Sequence, residues 1–196
     1  MPTTPTLVYF RHGETDWNVE GRLQGQRDVP INAKGRGQAV HNGEVIADRF
    51  PDALDYDFVA SPLWRSRETM QLARGAMGLD PGTYRTDDRL KELTFGSWEG
   101  STLEEIAETA PDLVEQRRID KWGFVPPGGG ESYEMLTRRI GGWLETIGRP
   151  SVVVAHGGVF RVLRGLLEGL DQPSVPKLPV PQDVVFVWRD GRLDEI

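Results

Sequence analysis

Three short apolar runs punctuate the chain: Thr6–Phe10 (TLVYF), Asp57–Ser61 (DFVAS) and Ser151–His156 (SVVVAH). Each is rich in β-branched or aromatic residues and too short for a buried helix, so each predicts a buried parallel strand. Between the first two, Ala39, Val40, Ile46, Ala47 and Phe50 fall roughly on one helical face, which predicts a helix over 35–50 ended by Pro51. Leu63, Met70, Leu72, Ala73, Ala76 and Met77 predict a second helix over 63–77, and TYRT (Thr83–Thr86) a short strand. Pro111 separates two short helices, Leu103–Ala110 and Asp112–Ile119, and the loop PPGGGES (Pro126–Ser132) leads into a helix running to Gly148. A helix over 159–170 follows the third apolar run. A Pro-rich connector, Pro173–Pro181, then leads to a closing hairpin, VVFVWRDGRLDEI, turning at Asp190–Gly191.

Strands that alternate with helices predict an α/β protein: three layers, α/β/α, around a mostly parallel central sheet with right-handed crossovers. The short helices after Ser101 predict a small helical cap, inserted at about 101–131 in a single domain spanning 1–196. In such sheets the carboxyl ends of the strands share one rim, where ligands bind.

Chemistry collects on that rim. Arg11 and His12 follow the first strand, Arg65 the second, Glu92 the third and His156 the fourth. Two imidazoles, two guanidinium groups and a carboxylate suit an anion undergoing proton-coupled chemistry, with phosphate the natural candidate. Each arginine offers a planar fork that matches phosphate oxygens. Their charge keeps His12 neutral and nucleophilic, so His12 is expected to attack phosphorus. Glu92 is expected to protonate the leaving alkoxide, and His156 to donate to the charge developing on the equatorial oxygens.

Composition narrows the surroundings. The 196 residues carry a formal net charge of -7, which argues against general affinity for nucleic acid or an anionic membrane, so an anion must be met locally. There is no cysteine, which rules out disulfides and thiolate metal sites and suits a cytoplasmic location. MPTTPT lacks the profile of a signal peptide and no apolar run is long enough to span a bilayer, so a soluble protein is expected.

The motifs RHGETDWN (Arg11–Asn18), GRLQGQRDVPINAKGRGQA (Gly21–Ala39), SPLWRSRET (Ser61–Thr69), LKELTFGSWEG (Leu90–Gly100), PPGGGES and VVAHGGVFR (Val153–Arg161) resemble, in this order and over nearly the whole chain, the histidine phosphatase superfamily on its phosphoglycerate-mutase-like branch. The resemblance implies a phosphohistidine on His12, with Arg11, Asn18, Arg65 and His156 around the phosphate and acid and base duty for Glu92. It also implies secondary phosphate or substrate contacts at Gln24, Gly25 and Gly157. The motif combination looks most like cobalamin-pathway and broad-specificity phosphatases.

The expected activity is therefore metal-independent hydrolysis of a small phosphate ester, with no cofactor. Phosphoglycerate mutase is the alternative, but family mutases carry a longer insertion than Ser101–Val125, and a short cap gives water more access. A binding module without turnover would need only the arginines. Zinc held by His12, His156 and Glu92 would be repelled by them. Arg67 competes with Arg65, one of the two being expected to pair with an acid such as Glu68 or Glu104; Glu99 competes with Glu92; His41 falls on a polar helix face and receives no role. Arg117, Arg118, Lys121, Trp122 and Phe124 in the cap stay open between substrate contact and structural duty. The closing hairpin leaves an edge strand that could pair two copies in a homodimer.

Overall fold

A computed structural model describes residues 4–196; the signal-peptide reading draws partly on residues 1–3, which lie outside them. The sheet has six strands: β1 (Leu7–Arg11), β2 (Asp57–Ala60), β3 (Arg85–Thr86), β4 (Ser151–Ala155), β5 (Phe186–Arg189) and β6 (Arg192–Glu195), in the order β3-β2-β4-β1-β5-β6. The β3-β2, β2-β4 and β4-β1 pairs are parallel, while β5 and β6 add antiparallel at the β1 side. This gives the mostly parallel α/β sheet that the alternation predicts. Among the described residues seven α-helices accompany it: α1 (Asp16–Val19), α2 (Ala33–Arg49), α3 (Trp64–Ala76), α4 (Leu103–Thr109), α5 (Pro111–Ile119), α6 (Tyr133–Leu144) and α7 (Gly157–Glu168).

The two-residue alternation of β1 explains the layers. Leu7 and Tyr9 enter one core with Leu136, Ile140 and Trp143 of α6 and Phe160 of α7. Val8 and Phe10 enter a second core with Ile46 of α2 and Met70 and Ala73 of α3. Both faces of the strand are thus buried, which is why its sequence is an unbroken apolar run.

Local differences from expectation have local causes. The TYRT strand shortens to Arg85–Thr86, both exposed at the sheet's edge. Pro111 does not separate α4 from α5; it opens α5 at the first-turn position, where a missing N–H costs nothing. Helix α6 ends at Leu144, short of Gly148, and α7 starts at Gly157 with His156 as its N-cap. The four-residue α1 escaped the apolar pattern because none of its residues is buried; a capping box between Thr15 and Asn18 starts it. The hairpin turns where expected, with Asp190 and Gly191 both at positive φ (53° and 78°), as a type I′ turn requires.

Candidate active site

The backbone continuing from β1 puts His12 beside the end of β4, its N–H donating to the carbonyl of Ala155. Gly13 then passes the start of α2 so closely that a Cβ on it would lie 2.2 Å from the Gly35 carbonyl oxygen, so only glycine fits after the histidine. The Gly13 N–H donates to Thr69 Oγ1 (3.0 Å), whose hydroxyl donates to the Arg65 carbonyl (2.7 Å), tying the β1 turn to α3.

His12 is 2% exposed. Its Nδ1 lies 2.8 Å from the Gly13 carbonyl oxygen; an N–H donated there leaves the Nε2 lone pair free. Burial first, then Arg65 and Arg11, hold this imidazole well below its ordinary pKa, against the opposing pull of the Gly13 carbonyl. The His156 ring stands 5.2 Å from that of His12, fully buried. Burial, Arg65 and then His12 and Arg11 lower its pKa in the same way. Ser61 Oγ is 2.7 Å from His156 Nε2; with the hydroxyl donating, Nδ1 carries the ring proton and meets no acceptor in the protein.

Arg65 is 1% exposed and spends its two terminal nitrogens on the carbonyls of Arg27 and Gly25, both at 2.7 Å. Its pKa is pushed down to about 10, chiefly by burial. Arg11 donates from Nη1 to the Val180 carbonyl (3.1 Å). The Nε–H of each arginine is buried and unpartnered. Glu92 reaches the N-terminus of α7, where Oε2 accepts from the Gly158 N–H (2.9 Å) and Oε1 from its neighbour Leu93 (3.0 Å). The structure therefore brings Arg11, His12, Arg65, Glu92 and His156 to the rim at the carboxyl ends of the parallel strands.

The remaining expected residues border this group in different ways. Asn18 uses its side-chain oxygen within the protein, accepting from the Thr15 N–H and from Gln182. Gln24 is buried with its side-chain oxygen unpartnered. Gly25 holds φ +52° and gives its carbonyl to Arg65. Gly157 is the first residue of α7, beside Arg11.

The rivals have structural duties. Glu99 Oε1 accepts from the Gln26 and Phe95 N–H groups and the Thr94 hydroxyl, pinning two loops together. Arg67 stacks over Trp64 and takes neither expected acid: Glu68 pairs with Arg36 at 2.7 Å and Glu104 is in no ion pair among the described residues. His41 is exposed. No group of three His, Asp or Glu side chains placed to hold a metal occurs among the described residues.

Several participants were not foreseen. Gln182 Nε2 donates to the His12 carbonyl (3.1 Å) and to Asn18 Oδ1 (3.0 Å), and Asn42 holds the Gln182 carbonyl in turn. Arg139, itself paired with Glu131, donates to the carbonyls of Arg89 and Lys91 and so fixes the loop that carries Glu92. Ser61, the opening residue of SPLWRSRET, had a motif position to signal it; Gln182 and Arg139 had none.

A mostly parallel sheet with His12, His156 and two arginines at its carboxyl rim defines a phosphate-handling α/β enzyme. Residues 7–189 match the family described as histidine phosphatase superfamily (branch 1), and the chain belongs to it. The chain is 35% identical over 185 residues, 88% of its own length and 78% of the relative's, to glucosyl-3-phosphoglycerate phosphatase of Mycolicibacterium vanbaalenii. It is 34% identical over 172 residues to a probable phosphoglycerate mutase of Shigella dysenteriae, covering 83% of this chain and 75% of that one. Its fold matches a structure of a putative α-ribazole-5′-phosphate phosphatase from Escherichia coli with a TM-score of 0.82 at 21% identity, over 99% and 95% of the two chains. The chain is a histidine phosphatase, a phosphoric monoester hydrolase by class.

Proposed function

We propose that the protein hydrolyses a small phosphate monoester through a phosphohistidine on His12, without a metal. The carrying observation is a set of buried donors with no protein acceptor: Nε–H of Arg11, Nε–H of Arg65 and Nδ1 of His156. A buried donor left unpaired is costly, and phosphate oxygens would satisfy all three. His12 Nε2 attacks phosphorus, and the ester P–O bond breaks as protonated Glu92 gives its proton to the departing alkoxide. The Glu92 carboxylate then takes a proton from water, whose oxygen attacks phosphorus. The P–N bond breaks, its electron pair returns to His12, and inorganic phosphate leaves. The α7 N-terminus at Gly157 favours the negative charge throughout.

Hydrolysis is favoured over phosphoryl return to a bound monophosphate because only residues 101–125 separate the Glu92 motif from the Pro126 loop, a short cover against water. A cytoplasmic location suits the cysteine-free chain, and β6 offers its free edge to a second copy. The test is hydrolysis of p-nitrophenyl phosphate in EDTA, with labelled phosphate trapped at short times. The expected result is turnover that resists the chelator and is inhibited by vanadate, and an acid-labile label lost in His12→Ala. Loss of activity in EDTA with rescue by zinc or magnesium, or retained labelling in His12→Ala, would overturn the assignment.

A further inference from the structure

A cavity of about 520 Å³ opens at the β3 edge of the sheet, at the amino end of β2. The rim that gathers His12 and His156 lies at the carboxyl ends, so the cavity sits at the far end of β2, a strand about 13 Å long. Its volume falls within the range of about 300–1,000 Å³ usual for small-molecule sites. Helix α3 runs between the two ends. Arg65 stands in its first turn and Arg74, which lines the cavity, in its last, about 13 Å further along the axis.

Arg74 lacks a counterion. It is 5% exposed, with its guanidinium 4.2 Å above the Phe58 ring. Its Nε donates to the Asp80 carbonyl (2.9 Å), but among the described residues Nη1 and Nη2 meet no acceptor and the side chain joins no ion pair. The neighbouring carboxylate, that of Asp80, is turned to its own loop, accepting from the Gly82 N–H and the Thr83 hydroxyl. Burial lowers the pKa of Arg74, and Asp80 only opposes that shift. A guanidinium largely withdrawn from water with an unfilled fork costs stability unless an anion fills it.

The rest of the wall suits an anion attached to a flat ring. Arg85 and Arg149 also line the cavity and share one carboxylate, that of Asp57, at 2.8 and 3.0 Å. Asp55 is the other acid on the wall, so three arginines face two aspartates in a chain whose net charge is -7. Tyr56, Phe58 and Tyr84 supply aromatic surface beside them. Arginine forks match phosphate oxygens, and aromatic rings pack against one another. We propose that this cavity is a second ligand site that takes a nucleoside monophosphate, with the phosphate on the Arg74 fork and the base against Tyr56 and Tyr84. The site is independent of the phosphatase reading, because none of its lining residues belongs to the phosphate rim.

The test is calorimetric titration of the full chain with 2′-deoxyadenosine 5′-phosphate while saturating vanadate holds the phosphate rim; the deoxy sugar lacks the vicinal diol that vanadate complexes. The nucleotide should bind in a single site per chain. Deoxyadenosine and inorganic phosphate should each bind at least about tenfold more weakly, since each lacks half of the contacts. Arg74→Met keeps the packing on Phe58 and should weaken the nucleotide at least about tenfold, the worth of one charge-assisted contact. Arg118→Gln, whose arginine pairs with Glu115 on the surface, should leave its affinity unchanged. Should methionine disturb folding, Arg149→Gln with Tyr84→Leu should give the same weakening with Arg74 in place. Absence of binding, binding that vanadate abolishes, inorganic phosphate or deoxyadenosine bound as tightly as the nucleotide, or full affinity in Arg74→Met would overturn the proposal. Vanadate inhibition of p-nitrophenyl phosphate hydrolysis by the same chain reports separately on the phosphatase reading.

Discussion

Gly158→Ala is a test of Glu92 that leaves every titratable group in place. A methyl group on Gly158 would lie 2.4 Å from Glu92 Oε1 and 2.5 Å from Leu93 Cδ2, whereas ordinary contact begins at 3.4 Å. The backbone at the start of α7 is fixed by β4 and by its core residues Val159 and Phe160, so the carboxylate must retreat by about 1 Å, a misplacement worth about 10²-fold in rate. That is about 2.7 kcal/mol of the barrier, within the range expected for a general acid. The effect depends on the leaving group. An alkoxide needs the proton and nitrophenolate hardly does, so single-turnover phosphorylation of His12 should slow about 10²-fold with glycerol 3-phosphate and much less with p-nitrophenyl phosphate. The burst is the right observable because Glu92 is also proposed to activate water, and a trapped phosphohistidine would mask the contrast at steady state. Alanine's helix preference, up to about 1 kcal/mol, opposes the steric cost, so a melting temperature close to that of the parent protein should accompany the kinetic loss. An equal loss with both esters, or none with glycerol 3-phosphate, would refute the role of Glu92 as acid, and Glu99→Gln would be compared next.

Two further predictions concern the surroundings of His12, the proposed nucleophile. His12 and His156 both have pKa values well below the ordinary 6.5. Between the lowered folded values and 6.5 the unfolded chain binds protons that the folded one does not, so melting temperature should fall as pH drops below about 6.5, an acid-side slope that should diminish in His156→Gln. Gln182→Leu removes the donor shared by the His12 carbonyl and Asn18 Oδ1. It should lower kcat about tenfold with little change in KM, read in steady-state assays across several esters, because it loosens the nucleophile's turn rather than a ligand contact. A rise in KM alone would assign Gln182 to substrate binding instead.

The sequence by itself determined the strand–helix alternation, the layers and which chemical groups gather at one rim. Strands buried on both faces read as unbroken apolar runs, and β1 and β4 are of this kind. Because parallel strands present their carboxyl ends together, locating the strands predicted that the segments carrying Arg11, His12, Arg65, Glu92 and His156 share a rim, and the motif resemblance picked Arg65 over its neighbour Arg67. Turn chemistry was equally legible where it is local, as at Asp190–Gly191.

Only the tertiary structure decided which of several like residues meet. Glu92 and Glu99 are seven positions apart in one loop, and it is the arrival of the α7 N-terminus at one, and of Gln26 at the other, that separates their roles. Arg67 and Glu68 offered a plausible pair until α2 brought Arg36 to Glu68. Gln182 reaches His12 across 170 positions, and Arg161 and Lys121 donate to the carbonyls of Leu178 and Pro176 in the Pro-rich connector. Side-chain periodicity reports what an element buries, whereas a hydrogen bond to a distant backbone carbonyl leaves no pattern in either partner's neighbourhood.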